Sequence, residues 1–153
     1  MSTEARDYEA DLLRRFESWA VYLHEDQSYL GRTYVALNRG GDNEELDPFL
    51  DTDPAEIFEF IEVIDSISTA LDELYQPTRL NYANLRNTWH HCHWHVIPRY
   101  EGPDFGRRTV SGLDFHDMNP GRNYAPSPKH DVPPNIFSQI HADMSAALAP
   151  TDW

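Results

Sequence analysis

The apolar positions along this chain change period several times, and each change marks an element. Tyr8, Leu12, Phe16 and Trp19 recur every three or four residues, which predicts a short amphipathic helix ending at about Ser18. Trp19 to His24 and Arg32 to Asn38 are rich in aromatic and β-branched residues, and the polar run Glu25-Asp26-Gln27-Ser28 between them reads as the turn of a hairpin. Asp53 is placed to cap a helix, with Pro54 in its first turn and Glu56 three residues on to complete a capping box. From there Ile57, Phe60, Ile61, Ile64, Ile67, Leu71, Leu74 and Tyr75 hold helical spacing as far as Pro77, giving one apolar face to cover a sheet. Strands are expected at about Leu80 to Leu85 and Cys92 to Tyr100. After Tyr100 the pattern breaks: six of the eleven prolines fall between Pro103 and Pro134, with Gly102, Gly106, Gly112 and Gly121, so mostly loop is expected. Phe137, Ile140, Met144 and Leu148 then predict a closing helix from about Pro134.

The resulting fold class is α+β, an antiparallel meander of about five strands with a long helix across one face. At 153 residues and 40% hydrophobic content the chain suits one domain with a genuine core. Its 26 acidic against 12 basic residues, a single lysine (Lys129) among the latter, repel polyanions and argue against a broad duplex nucleic-acid surface. An acidic, lysine-poor surface suits either a salt-loving host, where repulsion is screened within about 3 Å at 1 M salt, or an ordinary acidic protein. No segment reaches the roughly 20 apolar residues of a membrane span. The start, Met1 to Tyr8, is charged, and the single cysteine, Cys92, cannot form an internal disulfide. A cytoplasmic protein with no membrane partner is therefore expected.

The candidate chemistry lies in His91-Cys92-His93-Trp94-His95. Strand side chains alternate, so His91, His93 and His95 share one face at about 7 Å intervals while Cys92, Trp94 and Val96 share the other. The apolar set is expected beneath the long helix, with three imidazoles displayed on the second surface. Imidazole titrates near neutral pH and can attack phosphorus. Two other readings fit the same spacing: half-buried, hydrogen-bonded histidines without a chemical role, or a zinc site with His90 as an extra donor.

The stretch Leu80 to Tyr100 resembles the histidine triad (HIT) family of nucleotide hydrolases and transferases. Its signature, His-x-His-x-His followed by two apolar residues, is met by His91, His93, His95, Val96 and Ile97, continuing into Pro98 and Arg99. The resemblance covers about residues 15 to 101, within a single domain, 1–153, whose extension 101–153 is rich in proline and glycine. The tail segment Gly121-Arg122-Asn123-Tyr124-Ala125-Pro126 is similar to one in a prokaryotic branch related to diadenosine polyphosphate hydrolases.

The resemblance implies a nucleotide substrate, a homodimer and no cofactor or metal. It implies that His93 attacks the α-phosphate to form a nucleotidyl-histidine that water hydrolyses. His95 would donate to phosphate oxygens, and His91 would orient the site, its carbonyl setting the tautomer of His93. Asn81 and Asn87 fall where family members place polar groups against ribose or phosphate, and Thr88 offers a hydroxyl nearby. Two departures stand out. Arg86 and Trp89-His90 replace smaller residues or proline, leaving Arg86 either to reach distal phosphates or to point to solvent. Arg39-Gly40-Gly41-Asp42 stands where many relatives carry a further histidine. The expected activity is hydrolysis of a dinucleoside polyphosphate or nucleoside phosphoramidate; nucleotidyl transfer, or nucleotide or metal binding without turnover, are the alternatives.

Overall fold

The computed structural model describes residues 8–41, 44–125 and 130–150. The charged start before Tyr8, together with Asp42, Pro126 and Lys129, lies outside them. A five-stranded antiparallel sheet carries the fold: β1 (Leu12–Arg15), β2 (Trp19–Leu23), β3 (Thr33–Leu37), β4 (Arg79–Ala83) and β5 (His93–Arg99), with α1 (Pro54–Leu74) joining β3 to β4. The strands lie in the order β1-β2-β3-β5-β4. The histidine strand is therefore inserted beside β3 at the centre of the sheet instead of following β4 at its edge.

The capping box forms as the spacing predicts. The Glu56 amide donates to Asp53 Oδ1 at 2.9 Å, and the Asp53 amide donates to Glu56 Oε1 at 3.0 Å. Such a cap contributes about 1 kcal/mol to a helix start. Glu56 also receives Arg39 at both oxygens, 2.8 Å each, so Arg39 anchors the helix start. The face of α1 that enters the core is built on Val63, Ile67, Ala70 and Leu71. Ile61, expected on that face, is 60% exposed, and Phe58 is 69% exposed.

The first predicted helix is a correction. Only Tyr8–Asp11 form a helical turn, of the 3-10 type, and Leu12–Arg15 are extended along β2. Pairing Leu12 with Tyr22 and Arg15 with Ala20 covers the open backbone edge of β2, a tertiary gain that outweighs helical spacing over so short a run.

The sheet packs α1 and a closing helix on one side. Trp19, Val21, Leu23, Val35, Leu37, Cys92 and Val96 share one core with Val63, Ile67, Leu71, Ile140 and Met144. Gly31, at the turn into β3, has φ +86°, and a Cβ there would lie 2.5 Å from Leu71 Cδ2, so both backbone and packing demand glycine. Beyond Tyr100 the chain is more ordered than its proline content suggests. A one-turn helix α2 (Pro103–Gly106) precedes the hairpin β6 (Arg108–Val110) and β7 (Leu113–Phe115), turned at Ser111 and Gly112, both with positive φ. The predicted closing helix is α3 (Pro134–Leu148), burying Ile136, Ile140, Met144 and Leu148. Arg99 ties the extension to β5, donating to both carboxylate oxygens of buried Asp117 at 2.8 and 3.1 Å. No described helix is long and apolar enough to cross a membrane.

Candidate active site

The pairing of β5 with β3 sets Ala36 opposite His93 and Tyr34 opposite His95. Residues paired across strands share a face, so the two imidazoles stand beside one alanine and one tyrosine. Beyond β3, the pairs Ala20 with Ala36 and Tyr22 with Tyr34 continue the surface. The alanines leave room above the sheet; the stacked tyrosine rings, 4.9 Å apart, wall it.

Each ring has a defined partner. His93 Nδ1 donates to the carbonyl oxygen of His91 at 2.7 Å, which puts the proton on Nδ1 and leaves Nε2 with its lone pair when the ring is neutral. His91 is buried, and its own Nε2 donates to the Leu37 carbonyl at 2.7 Å. His95 Nδ1 faces Arg32 Nη2 at 3.4 Å. Burial pulls the His93 imidazole below its ordinary value, with the His91 carbonyl working in the opposite direction and His91 and Arg86 adding to the depression. His95 is pulled down to about 4, by burial first and then by Arg32 and His93. Both rings are therefore neutral at pH 7.

The histidines are not displayed on an open surface. His91 and His93 are each 6% exposed, because Trp89 folds over them with ring centres 5.2 and 4.5 Å away. What remains open is a cleft of about 420 Å³ that includes His93, His95, Asn87, Thr88, Arg86 and Trp89 in its lining. Arg86 does not point to solvent: its guanidinium lies 3.6 Å from Asp47 and donates to the Leu46 carbonyl at 3.3 Å while lining the cleft.

Of the six site residues expected from the sequence, His93, His95, Asn87 and Thr88 meet in this cleft. His91 contributes its backbone from below. Asn81 lies apart, its Oδ1 accepting from Arg99 Nη1 at 2.9 Å, in a separate pocket with Leu80, Tyr82, Asn123 and Tyr124. His90 turns away to Glu45, 3.2 Å from its Nδ1, and does not join the other histidines. Among the described residues no group of three His, Cys, Asp or Glu is arranged to hold a metal ion.

Sequence reasoning missed six residues of the cleft: Tyr8, Asp11, His24, Glu25, Tyr34 and Leu85. His24 brings a further imidazole, its ring centre 5.6 Å from that of His95 and its Nδ1 accepting from the Asp26 amide at 2.9 Å. The one available signal was its place at the end of the first predicted strand, one residue before a turn; which strand end would face the triad was set by sheet order.

Residues 42–102 match the family model of the HIT domain. No curated protein matches the chain. Among solved structures, a histidine triad protein from Marinobacter aquaeolei is 18% identical with a TM-score of 0.66, over 92% of this chain and 91% of that one. A histidine triad protein from Bradyrhizobium japonicum is 17% identical with a TM-score of 0.65, over 96% and 98%. A hypothetical histidine triad nucleotide-binding protein from Sulfolobus tokodaii is 17% identical with a TM-score of 0.60, over 90% and 83%. Residues 42–102 thus resemble the HIT domain, within a fold that the chain shares with solved histidine triad proteins.

Proposed function

We propose that this protein hydrolyses a dinucleoside polyphosphate or a related nucleoside phosphate or phosphoramidate through a nucleotidyl-histidine intermediate on His93. The observation that carries the reading is the 2.7 Å hydrogen bond from His93 Nδ1 to the His91 carbonyl, made by a neutral ring that lines a cleft. A nucleophilic imidazole needs an unprotonated nitrogen toward phosphorus and an acceptor for the proton on the other, and this bond supplies the second condition. In the first step His93 Nε2 bonds to the α-phosphorus and the leaving group departs with the electrons of the broken P–O or P–N bond. Water then displaces the imidazole and restores the lone pair. His95, Asn87 and Thr88 are the donors available to the non-bridging oxygens and the sugar, where positioned hydrogen bonds stabilise developing charge. The nucleotide class is supported by the HIT domain match and by the Sulfolobus tokodaii protein, described as nucleotide-binding.

A second copy of this chain is the proposed partner. Phe58 and Ile61 on α1 and Tyr82 on the edge strand β4 are 69%, 60% and 48% exposed, large apolar side chains that a symmetric partner would cover. Light scattering on the purified protein should give twice the chain mass, and a monomer would remove this part of the reading.

The activity is tested by release of mononucleotide from a panel of dinucleoside polyphosphates and nucleoside phosphoramidates. Turnover that survives chelator is expected. Stoichiometric zinc lost together with activity would replace this reading with the metal one, and product joined to an added phosphate in preference to water would make the protein a transferase.

A further inference from the structure

Behind the cleft, at the start of β3, Arg32 is buried at 7% exposure with its charge loosely matched. The nearest carboxylate, Asp26, holds Oδ2 3.9 Å from Nη1, and Nε is buried with no hydrogen-bond partner among the described residues. Burying a guanidinium costs several kcal/mol unless it is fully paired, so packing gives no reason to keep one here. Among the described residues its remaining short polar contact is Nη2 to His95 Nδ1 at 3.4 Å. Arginine has no acceptor and stays protonated, so this contact has a single polarity: Nη2 donates, and Nδ1 of His95 must be the lone-pair nitrogen. The neutral ring then carries its proton on Nε2, the opposite tautomer to that of His93.

Arg32 does not line the cleft, whereas His95 does. The guanidinium is held from behind by a relay that ends in the C-terminal extension. Asp26 Oδ1 accepts from the Ser28 amide at 3.0 Å and the Ser28 hydroxyl at 2.6 Å, and the Ser28 hydroxyl accepts from the His130 amide at 2.7 Å. The Tyr124 ring lies 5.5 Å from the guanidinium carbon and meets Tyr29 edge-on, while the Tyr29 hydroxyl accepts from the Ala125 amide at 2.8 Å.

We infer that Arg32 is a positioning residue that fixes His95 as the Nε2–H tautomer, and that the extension, through Tyr124 and His130, keeps Arg32 in place. The catalytic meaning rests on the proposed function: an Nε2–H donor meets phosphate oxygens beside the unprotonated Nε2 of His93, so neighbouring histidines divide the roles of donor and nucleophile. Around His95 the titratable or charged groups are Arg32 from the β3 turn, His93 on its own strand, Tyr34 across on β3 and His24 from the end of β2, with Asp26 behind Arg32.

The test is nitrogen NMR of histidine-labelled full-length protein, with the His95 ring assigned by comparison with His95→Gln. In the unsubstituted protein at pH 7, His95 should show an unprotonated Nδ1 and a protonated Nε2. Arg32→Met should mix the two tautomers and raise the pH at which His95 titrates; Arg32→Lys, which keeps a donor and a charge, should restore much of both. Tyr124→Ala should shift His95 in the same direction by less. An unchanged His93 signal certifies the fold in each variant, and if Arg32→Met does not fold, the Lys and Tyr124 variants decide. A His95 proton on Nδ1 in the unsubstituted protein, or tautomer and titration in Arg32→Met identical to those of the unsubstituted protein, overturns the inference. An unmoved His95 in Tyr124→Ala removes the role of the extension. In the turnover assay Arg32→Met should lower kcat about 10- to 100-fold with little change in KM, as for other partners that orient a working histidine. Absence of turnover in the unsubstituted protein, with the tautomer as stated, would defeat the hydrolase reading and leave the placement of His95 by Arg32 standing.

Discussion

The two sides of β5 share one backbone and differ in almost everything else. Toward α1, Trp94 and Val96 meet Phe60, Val63 and Ile67 in a core that excludes water, with ring centres of Trp94 and Phe60 5.3 Å apart. On the other side His93 and His95 stand beside Ala36 and Tyr34, and small side chains under an aromatic rim leave the cleft open. Both sides are largely buried, so burial alone does not distinguish core from site. Polarity with satisfied partners does: on the histidine side each buried ring nitrogen on the backbone side of the site is tied to a carbonyl or a guanidinium. A strand can therefore serve stability and chemistry together, provided that substitutions on one side leave the other intact.

That separation can be broken in order of expected size. His93→Ala should reduce turnover by several orders of magnitude with little loss of substrate binding, because the missing bond forms on the way to the transition state. Alkaline quenching with labelled substrate should trap nucleotide on the peptide containing His93, and label elsewhere would refute the assignment. His95→Ala should cost about 10²- to 10³-fold in kcat, the range for a lost oxyanion-type donor. His91→Ala should cost less, since its acceptor is a backbone carbonyl. On the dry side, Ile67→Ala removes a fully buried side chain and should destabilise by about 2–5 kcal/mol in denaturant unfolding, with turnover per folded molecule near that of the unsubstituted protein. Loss of activity in step with stability would mean that the two sides are coupled.

Smaller effects concern the whole molecule. His95 titrates at about 4 folded against 6.5 in the unfolded chain, so the unfolded chain takes up the proton first as pH falls. Its contribution to stability is fully present above about pH 6.5 and is lost between there and about pH 4. Chemical unfolding across that window should show the decline, and His95→Gln should flatten it. At a net charge of −14, melting temperature should rise from low to molar potassium chloride as carboxylate repulsion is screened. A flat or falling curve would dispose of the halophile reading alone.

Legibility from sequence followed the range of the interactions. The capping box at Asp53 and Glu56, the length of α1 and the alternation of β5 are set within a few residues, and they were readable. Tyr8 to Ser18 misled because helical spacing over one short run is weak, and the open edge of β2, which decides the matter, is supplied from elsewhere in the chain. In α1 the period was readable but its phase was not: Ile61 and Val63 are two residues apart and equally apolar, and only the position of the sheet exposes one and buries the other.

By itself, then, the sequence determined which side chains alternate along β5, where α1 begins and that alternate positions of one strand carry imidazoles, because these depend on covalent spacing and local hydrogen bonds. Only the tertiary structure decided that Trp89 would roof His93, that His24 would join the cleft, that Asn81 would serve Arg99, and that Arg32 would stand behind His95, 63 residues along the chain. Those contacts arise from the insertion of β5 between β3 and β4, a long-range pairing whose order no local pattern encodes.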